Sequence, residues 1–389
     1  MRKLRLLGAL ALLLAGPVLA DGTARLRVGP RPSWVVPAQV PEGPAPGVDA
    51  EGGVEYLLLD DQVRVGAGEV EAYARRVRRI TSPDGIDRES QFDLDWDPAY
   101  ETLTLHRLVI WRDGRELDRL DVGKIRVAQR EQSFEANLLD GSLSALIVLD
   151  DVRVGDVVEH EFTLSGANPV FGMRYSGGFS ATWGVPIARL HYRLLWPPER
   201  PLTIRPFDVD IEPRQRRLGS LVEYTWERDD LPATVDEGDE PEWHDLEGYV
   251  QLTEWPTWND VARWAVPLYA PPGRPDPEVR ELIERLRAQS PTAAGRAVLA
   301  LRFVQDEIRY LGLELGTGSH EPTAPDLVLA RRFGDCKDKT RLLVTLLAGL
   351  GLDARPALVN SSHGPQLGRY EPSPSAFDHV ITLLRLDGR

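Results

Sequence analysis

Apolar and polar residues alternate with a period of two through most of residues 51–232. Val158, His160, Phe162 and Leu164 fall on one strand face, with Glu159, Glu161 and Thr163 on the other. Leu190, Tyr192, Leu194 and Trp196 repeat the pattern. So do Val222, Tyr224 and Trp226 against Glu223, Thr225 and Glu227. Asp113-Gly114 follows the run Leu108-Val109-Ile110-Trp111 and predicts a hairpin turn. Half-buried strands separated by turns predict an all-β, sandwich-like domain of antiparallel strands over residues 51–235. His106, His160 and His191 lie on strands of this domain and read as satisfied core or rim residues rather than ligands.

From residue 255 the period lengthens to three and four. Trp255-Pro256-Thr257-Trp258-Asn259-Asp260 leads into a short N-capped helix carrying Val261, Trp264 and Ala265. Val279, Leu282, Ile283 and Leu286 predict a helix over 277–289, and Ala297, Leu301, Val304 and Ile308 another over 293–310. A short helix starts at Pro325-Asp326. A last one starts at Cys336 and carries Leu342, Leu343, Leu346, Leu347 and Leu350 on one face. Strands follow at 354–359 and 377–386, joined by a polar loop over 360–375. The chain is therefore multidomain: β-rich first, α+β second. Acidic residues without periodicity over 236–254 read as the linker.

The N-terminus has the form of an export signal. Arg2, Lys3 and Arg5 precede an apolar run, Leu6 to Ala15, and Val18-Leu19-Ala20 offers small residues for cleavage after Ala20. A signal peptide over 1–20 places the protein in a bacterial periplasm or outside the cell, with no membrane span after cleavage. Residues 21–50 are rich in Pro and Gly and read as a lead-in with little structure of its own.

The formal net charge is −14, and the leader carries three of the cations and no acid. That argues against nucleic acid as a partner. The histidine pattern and the lone cysteine offer no recognisable zinc site, and no phosphate-cradling Gly motif appears, so no metal or cofactor is expected.

Cys336 is the one cysteine in the chain. An exported protein usually pairs its cysteines, and this one has no partner within the chain. Asp335 is a good N-cap and Gly334 allows a sharp entry, so the sulfur sits in the first helical turn. There the helix dipole favours the thiolate and predicts a lowered thiol pKa. His379 follows on a separate, strand-like element. Thiol and imidazole together are the parts of a nucleophilic enzyme. His320 and His363, both in loops, are alternative bases, each otherwise an exposed side chain. Lys337 and Lys339 either add positive potential at the thiol or are solvated. The backbone N–H of Cys336, Gln305 and the tryptophans near 255 are candidate oxyanion donors.

The order of parts resembles the bacterial exported branch of the transglutaminase-like superfamily. The residues that carry the resemblance are Asp306-Glu307-Ile308-Arg309-Tyr310, Gly312, Glu314-Leu315-Gly316, Pro325 and Arg332-Phe333-Gly334-Asp335-Cys336-Lys337-Asp338-Lys339. The resemblance covers residues 51–389 and implies a papain-like α+β domain behind a β-rich domain of unknown function. It implies Cys336 as nucleophile and His379 as base, acting on a peptide, protein or amine substrate by acyl transfer or hydrolysis. The family's third triad member is an acid on the strand after the histidine. Asp387 is the nearest acid, but its place beside Gly388 suits a turn, and Asp378 adjoins His379 on the opposite strand face. The expectation is therefore a papain-like domain cut short before its acid. An inactive, peptide-binding or structural envelope protein is the alternative.

Overall fold

The computed structural model describes residues 26–43, 52–66, 68–131, 135, 137–234, 238 and 247–386. The expected signal peptide, most of the acidic tract and Asp387 lie outside the described residues.

The β-rich half runs β1 (Leu26–Val28), β2 (Val54–Val65), β3 (Val70–Ile80), the short helix α1 (Pro83–Glu89), β4 (Gln91–Trp96), β5 (Thr102–Arg112), β6 (Arg115–Asp118), β7 (Arg126–Gln129), β8 (Leu138–Leu139), β9 (Leu143–Val148), β10 (Val157–Ser165), β11 (Ser176–Ser180), β12 (Ile187–Trp196), β13 (Thr203–Phe207), β14 (Arg214–Leu218), β15 (Leu221–Leu231) and β16 (Tyr249–Thr253). Among the described residues, nine strands form one sheet in the order β1-β5-β10-β3-β2-β12-β15-β14, with β6 added to β5. The β5–β6 hairpin turns at Asp113 and Gly114, both at positive φ. The sheet is mixed rather than purely antiparallel, because β1 pairs parallel with β5 and β2 parallel with β12.

One face of this sheet is apolar at both ends, with Arg76, Arg78 and His160 between them. Cross-strand partners such as Val158 and Ile110, or Leu194 and Val63, share it. Two three-stranded sheets cover it. Leu94, Trp96, Ala145 and Ile147 of the sheet β4-β9-β7 pack on Leu105, Ile110 and Val158. Phe179, Val250 and Leu252 of the sheet β11-β16-β13 pack on Leu194, Trp196 and Trp226. β16 is thus the central strand of its sheet, with Val250 and Leu252 in the core. The acidic linker expected over 236–254 is correct neither in its end nor in its character there. Five residues of alternation after a polar tract were too short to read as a strand.

The opposite face corrects the sequence reading further. Glu159, Glu161 and Thr163 sit on the polar side of β10, yet all three are buried. Residues 26–43, expected to lack structure of their own, lie across them as a strap. Ala38 N–H donates to Asp60, Val36 N–H to Gln62, Arg193 to the Trp34 carbonyl and Arg75 to the Ala38 carbonyl. Prolines in the strap remove N–H donors, and polar side chains on the sheet pair with several of its remaining backbone groups. The carboxylates beneath are paired. Arg31 meets Glu161, and Glu159 accepts from Arg75 at 2.9 Å and from the Trp111 indole at 2.7 Å. Alternation places residues on faces correctly; it does not say that the polar face meets water.

The three strand histidines are held by neighbours. His106 bridges the Gly29 carbonyl and Thr163, His191 pairs with Asp60 at 2.7 Å, and His160 meets Arg78 and stacks on Phe92.

The second half runs α2 (Trp258–Tyr269), α3 (Pro277–Gln289), α4 (Ala293–Glu307), β17 (Arg309–Tyr310), β18 (Gly312–Leu313), α5 (Pro325–Arg331), β19 (Phe333–Gly334), α6 (Cys336–Gly349), β20 (Asp353–Val359) and β21 (His379–Arg385). α6 is its axis. Leu342, Leu343, Leu346 and Leu347 pack on Val279, Ile283 and Leu286 of α3, Ala300 and Val304 of α4, and Val328 of α5. β20 and β21 pair antiparallel and lie along α6, where Thr340 donates to the Val380 carbonyl and Ala354 and Leu384 pack in the cluster of its leucines.

The halves interlock on two sides. β8 pairs with β18, and Asn168 donates to the Gly316 carbonyl and Ser319. On the other side Gln251 exchanges hydrogen bonds with the Glu371 backbone, and Thr253 donates to the Pro372 carbonyl.

Breaking a buried pair leaves the partner charge unsolvated. Glu159→Ala is expected to lower the urea unfolding free energy by roughly 3 kcal/mol. A loss below about 1 kcal/mol, the range of exposed pairs, would contradict the buried-network account.

Candidate functional site

The site is built at the head of α6. Asp335 caps the helix: its Oδ1 accepts from the N–H of Lys337 at 3.0 Å and of Asp338 at 3.1 Å. Its other oxygen takes the Lys337 ammonium at 2.5 Å, which also meets Glu314 at 2.7 Å. Asp338 folds back instead, accepting from Thr323 N–H at 2.6 Å and from Arg331 at 2.5 Å. Asp335, Lys337 and Asp338 are all buried. Burial works against the Lys337 ammonium, but the Asp335 and Glu314 carboxylates outweigh it and hold its pKa above the ordinary value. Neither lysine is simply solvated. Lys339 donates to the Ile308 carbonyl at 2.5 Å.

Gly334 serves this packing by lacking a side chain. It does not adopt the left-handed conformation; a Cβ there would lie 2.6 Å from the Asp338 Cβ. The sequence reading, a sharp turn, named the right residue for the wrong reason.

This arrangement leaves Cys336 as the first residue of α6, half-buried. Two clefts meet at it. One is a trough of about 540 Å³ along α4, α6 and β21, lined by Gln305, Tyr310, Cys336, Lys339 and His379 together with apolar residues. The other is smaller and is walled by Trp264, Tyr269, His320, Lys337, Phe377 and again Cys336 and His379. The two residues singled out from sequence thus line the same two clefts. They are not hydrogen-bonded to each other in this state.

Burial and the Asp335 carboxylate push the Cys336 thiol up from its ordinary value, against the opposing pull of Lys337 and the Val380 N–H. The lowered pKa expected from the helix dipole is therefore not what the site produces. Desolvation and a capping carboxylate next door outweigh the dipole.

Tyr310 is a site residue that sequence reasoning did not single out. Its hydroxyl lies against Cys336 and interacts with both its backbone N–H and its sulfur. β17 is too short for alternation to reveal it. His320, an alternative base in the sequence reading, also lies at the site. It is not an exposed loop residue: its Nδ1 meets Ser319 at 2.9 Å, and its ring packs edge-on to Phe171 at 4.8 Å and Trp264 at 5.9 Å. Burial first, and then the Lys337 charge, lower its pKa to about 4. Phe171 belongs to the β-rich half, and the Trp264 indole donates to the Val170 carbonyl at 2.7 Å, so that half backs two of the residues that wall the cleft.

Other candidates fall elsewhere. Asp378 borders the smaller cleft, but its carboxylate is engaged by the Ser361 N–H and hydroxyl. His363 lies beside Tyr370, with ring centroids 5.0 Å apart. Trp255 is fully buried, and Trp258 stands edge-on to Phe377. Among the described residues no group of three or more His, Cys, Asp or Glu is placed to hold a metal ion. No helix among them is long and apolar enough to cross a membrane.

Residues 66–235 match the model of DUF3857, a domain of unknown function. No curated protein sequence matches the chain. A crystal structure from Parabacteroides distasonis, titled a "putative protease", superposes with a TM-score of 0.72 at 13% identity, covering 87% of this chain. The chain spans 66% of that protein's length. A Legionella pneumophila structure titled a "putative nutrient binding protein" aligns at 9% identity over 80% of this chain and 97% of that one, with a TM-score of 0.27, too low to bear on the fold. The chain is thus β-rich and multidomain in build, with a DUF3857 match in its first half and a fold shared with the Parabacteroides protein.

Two outcomes follow from the site's electrostatics. Asp335→Ala removes the cap and leaves Lys337 and Glu314 to pair alone. Chemical denaturation is expected to show a loss of roughly 1–3 kcal/mol; an unchanged midpoint would contradict the capping role. His320 has a folded-state pKa below its unfolded value, so the unfolded chain binds the extra proton between about pH 6.5 and 4. Its contribution to stability is complete above the unfolded pKa and is lost as pH falls through that window. His320→Phe is expected to lose less melting temperature than wild type between pH 7 and 4. Parallel curves would show that His320 is not held neutral.

Proposed function

We propose that the chain is a transglutaminase-like, papain-like thiol enzyme that transfers or hydrolyses acyl groups of amide or peptide substrates, exported to a bacterial periplasm or beyond. The observation that carries this reading is that Cys336, at the start of a capped helix, and His379, at the start of β21, line the same two clefts. The shared fold with a protein titled a protease supports the reaction class.

In this reading the Cys336 sulfur attacks the substrate carbonyl as His379 takes the thiol proton. The carbonyl oxygen becomes an oxyanion, for which the Cys336 N–H and Gln305 are the donors at hand. His379 then gives its proton to the departing amine, leaving an acyl-thioester on Cys336. Water resolves the thioester in hydrolysis, and a second amine resolves it in transfer. A thiol held protonated at rest fits proton transfer during attack, in place of a standing thiolate–imidazolium pair.

The raised thiol pKa also favours a second reading: a groove that binds peptides without turning them over. Iodoacetamide separates the two. For the enzyme, Cys336 alkylation at pH 7 should fall tenfold or more in His379→Ala. For an inert thiol, wild type and variant should label at the same slow rate, rising only above about pH 8.5.

A further inference from the structure

A hollow of about 500 Å³ lies between α2, β20 and the 364–369 turn. Trp258, Val261, Ala265 and Leu367 contribute to its walls, and no charged side chain lines it. Its inner end is shared with the cleft at the thiol, because Tyr269, Leu358 and Phe377 line both. The Tyr269 phenol is kept neutral well beyond its ordinary range by burial first and then by the nearby Cys336 and Asp335. Trp258 and Phe377, edge to face with centroids 5.6 Å apart, make a rigid rim. The volume falls in the range of ligand pockets, and an apolar lining rewards an apolar occupant and penalises a charged one, which would find no partner.

We propose that this hollow is the specificity pocket of the Cys336 site and seats a large apolar side chain, of phenylalanine or leucine type, next to the carbonyl under attack. The proposal rests on the acyl-transfer reading for its orientation and adds the substrate class: peptides with a bulky apolar residue at the reacting position. The shared wall of Tyr269, Leu358 and Phe377 makes the two adjacent, within the span of one extended residue. The acidic balance of the chain does not enter the choice, since the pocket wall itself is neutral.

The test uses four acetyl-aminoacyl chloromethyl ketones, with Phe, Leu, Asp or Lys side chains, and follows alkylation of Cys336 in the whole protein by intact mass spectrometry. Each rate is divided by the iodoacetamide rate of the same protein. The expected result is a preference of tenfold or more for Phe and Leu over Asp and Lys. Ala262 lines the hollow from the exposed side of α2. Ala262→Trp fills the hollow and should abolish the preference. Val266→Glu places a carboxylate at its exposed wall and should raise Lys relative to Phe. Circular dichroism confirms that both variants fold. Equal rates for the four reagents, or a preference that survives both substitutions, overturns the proposal. The two readings fail separately. An iodoacetamide rate indifferent to His379→Ala defeats the catalytic reading, whereas the side-chain preference reports only what sits beside the thiol.

Discussion

The site depends on one carboxylate. Asp335 ties the first N–H groups of α6 to itself and draws in Lys337, which brings Glu314 with it. Asp338 pins the same turn to Thr323 and Arg331. A charged cluster buried at a helix start is costly unless every member is paired, and here each is. The outcome is that Cys336 sits at the helix start between residues whose side chains are tied down. The electrostatic consequence runs against simple expectation. The carboxylate that orders the helix also disfavours a negative sulfur beside it.

The β-rich half is part of the site as well as a neighbour. Asn168 holds Gly316 and Ser319, Ser319 meets His320, and Phe171 and Trp264 pack on the His320 ring. A change in the 168–171 turn would therefore reach the thiol through packed side chains. The strap over residues 26–43 has a comparable structural role farther away. It converts a row of strand carboxylates and arginines into an interior network.

Much of this was legible from residue spacing. Leu342, Leu343, Leu346 and Leu347 announced α6, and Val279 to Leu286 announced α3, because a helix packed on one side repeats every three to four residues. The Asp113-Gly114 turn was readable from its conformational demands alone. What spacing could not give was tertiary cover. Glu159 and Glu161 looked solvated because the strap that buries them is Pro-rich and has no period of its own. β16 was missed because its neighbours β11 and β13 lie far off in sequence. At the site, Cys336 and His379 stood out by type and position and His320 as an alternative base, whereas Tyr310 and the packed setting of His320 did not. Their place at the thiol follows from how β17 and the 316–319 turn fold back on α6. The direction of the thiol pKa was misjudged because burial cannot be read from a helix start.

The central claim is that Cys336 is a nucleophile served by His379. Incubation with p-nitrophenyl acetate, followed by intact and peptide mass spectrometry, tests it most directly. The account predicts one acetyl group on Cys336 in the wild-type protein, none in Cys336→Ser under the same conditions, and tenfold slower appearance in His379→Ala. Acetylation confined to lysines, with Cys336 unmodified or modified at a rate that ignores His379, would contradict it.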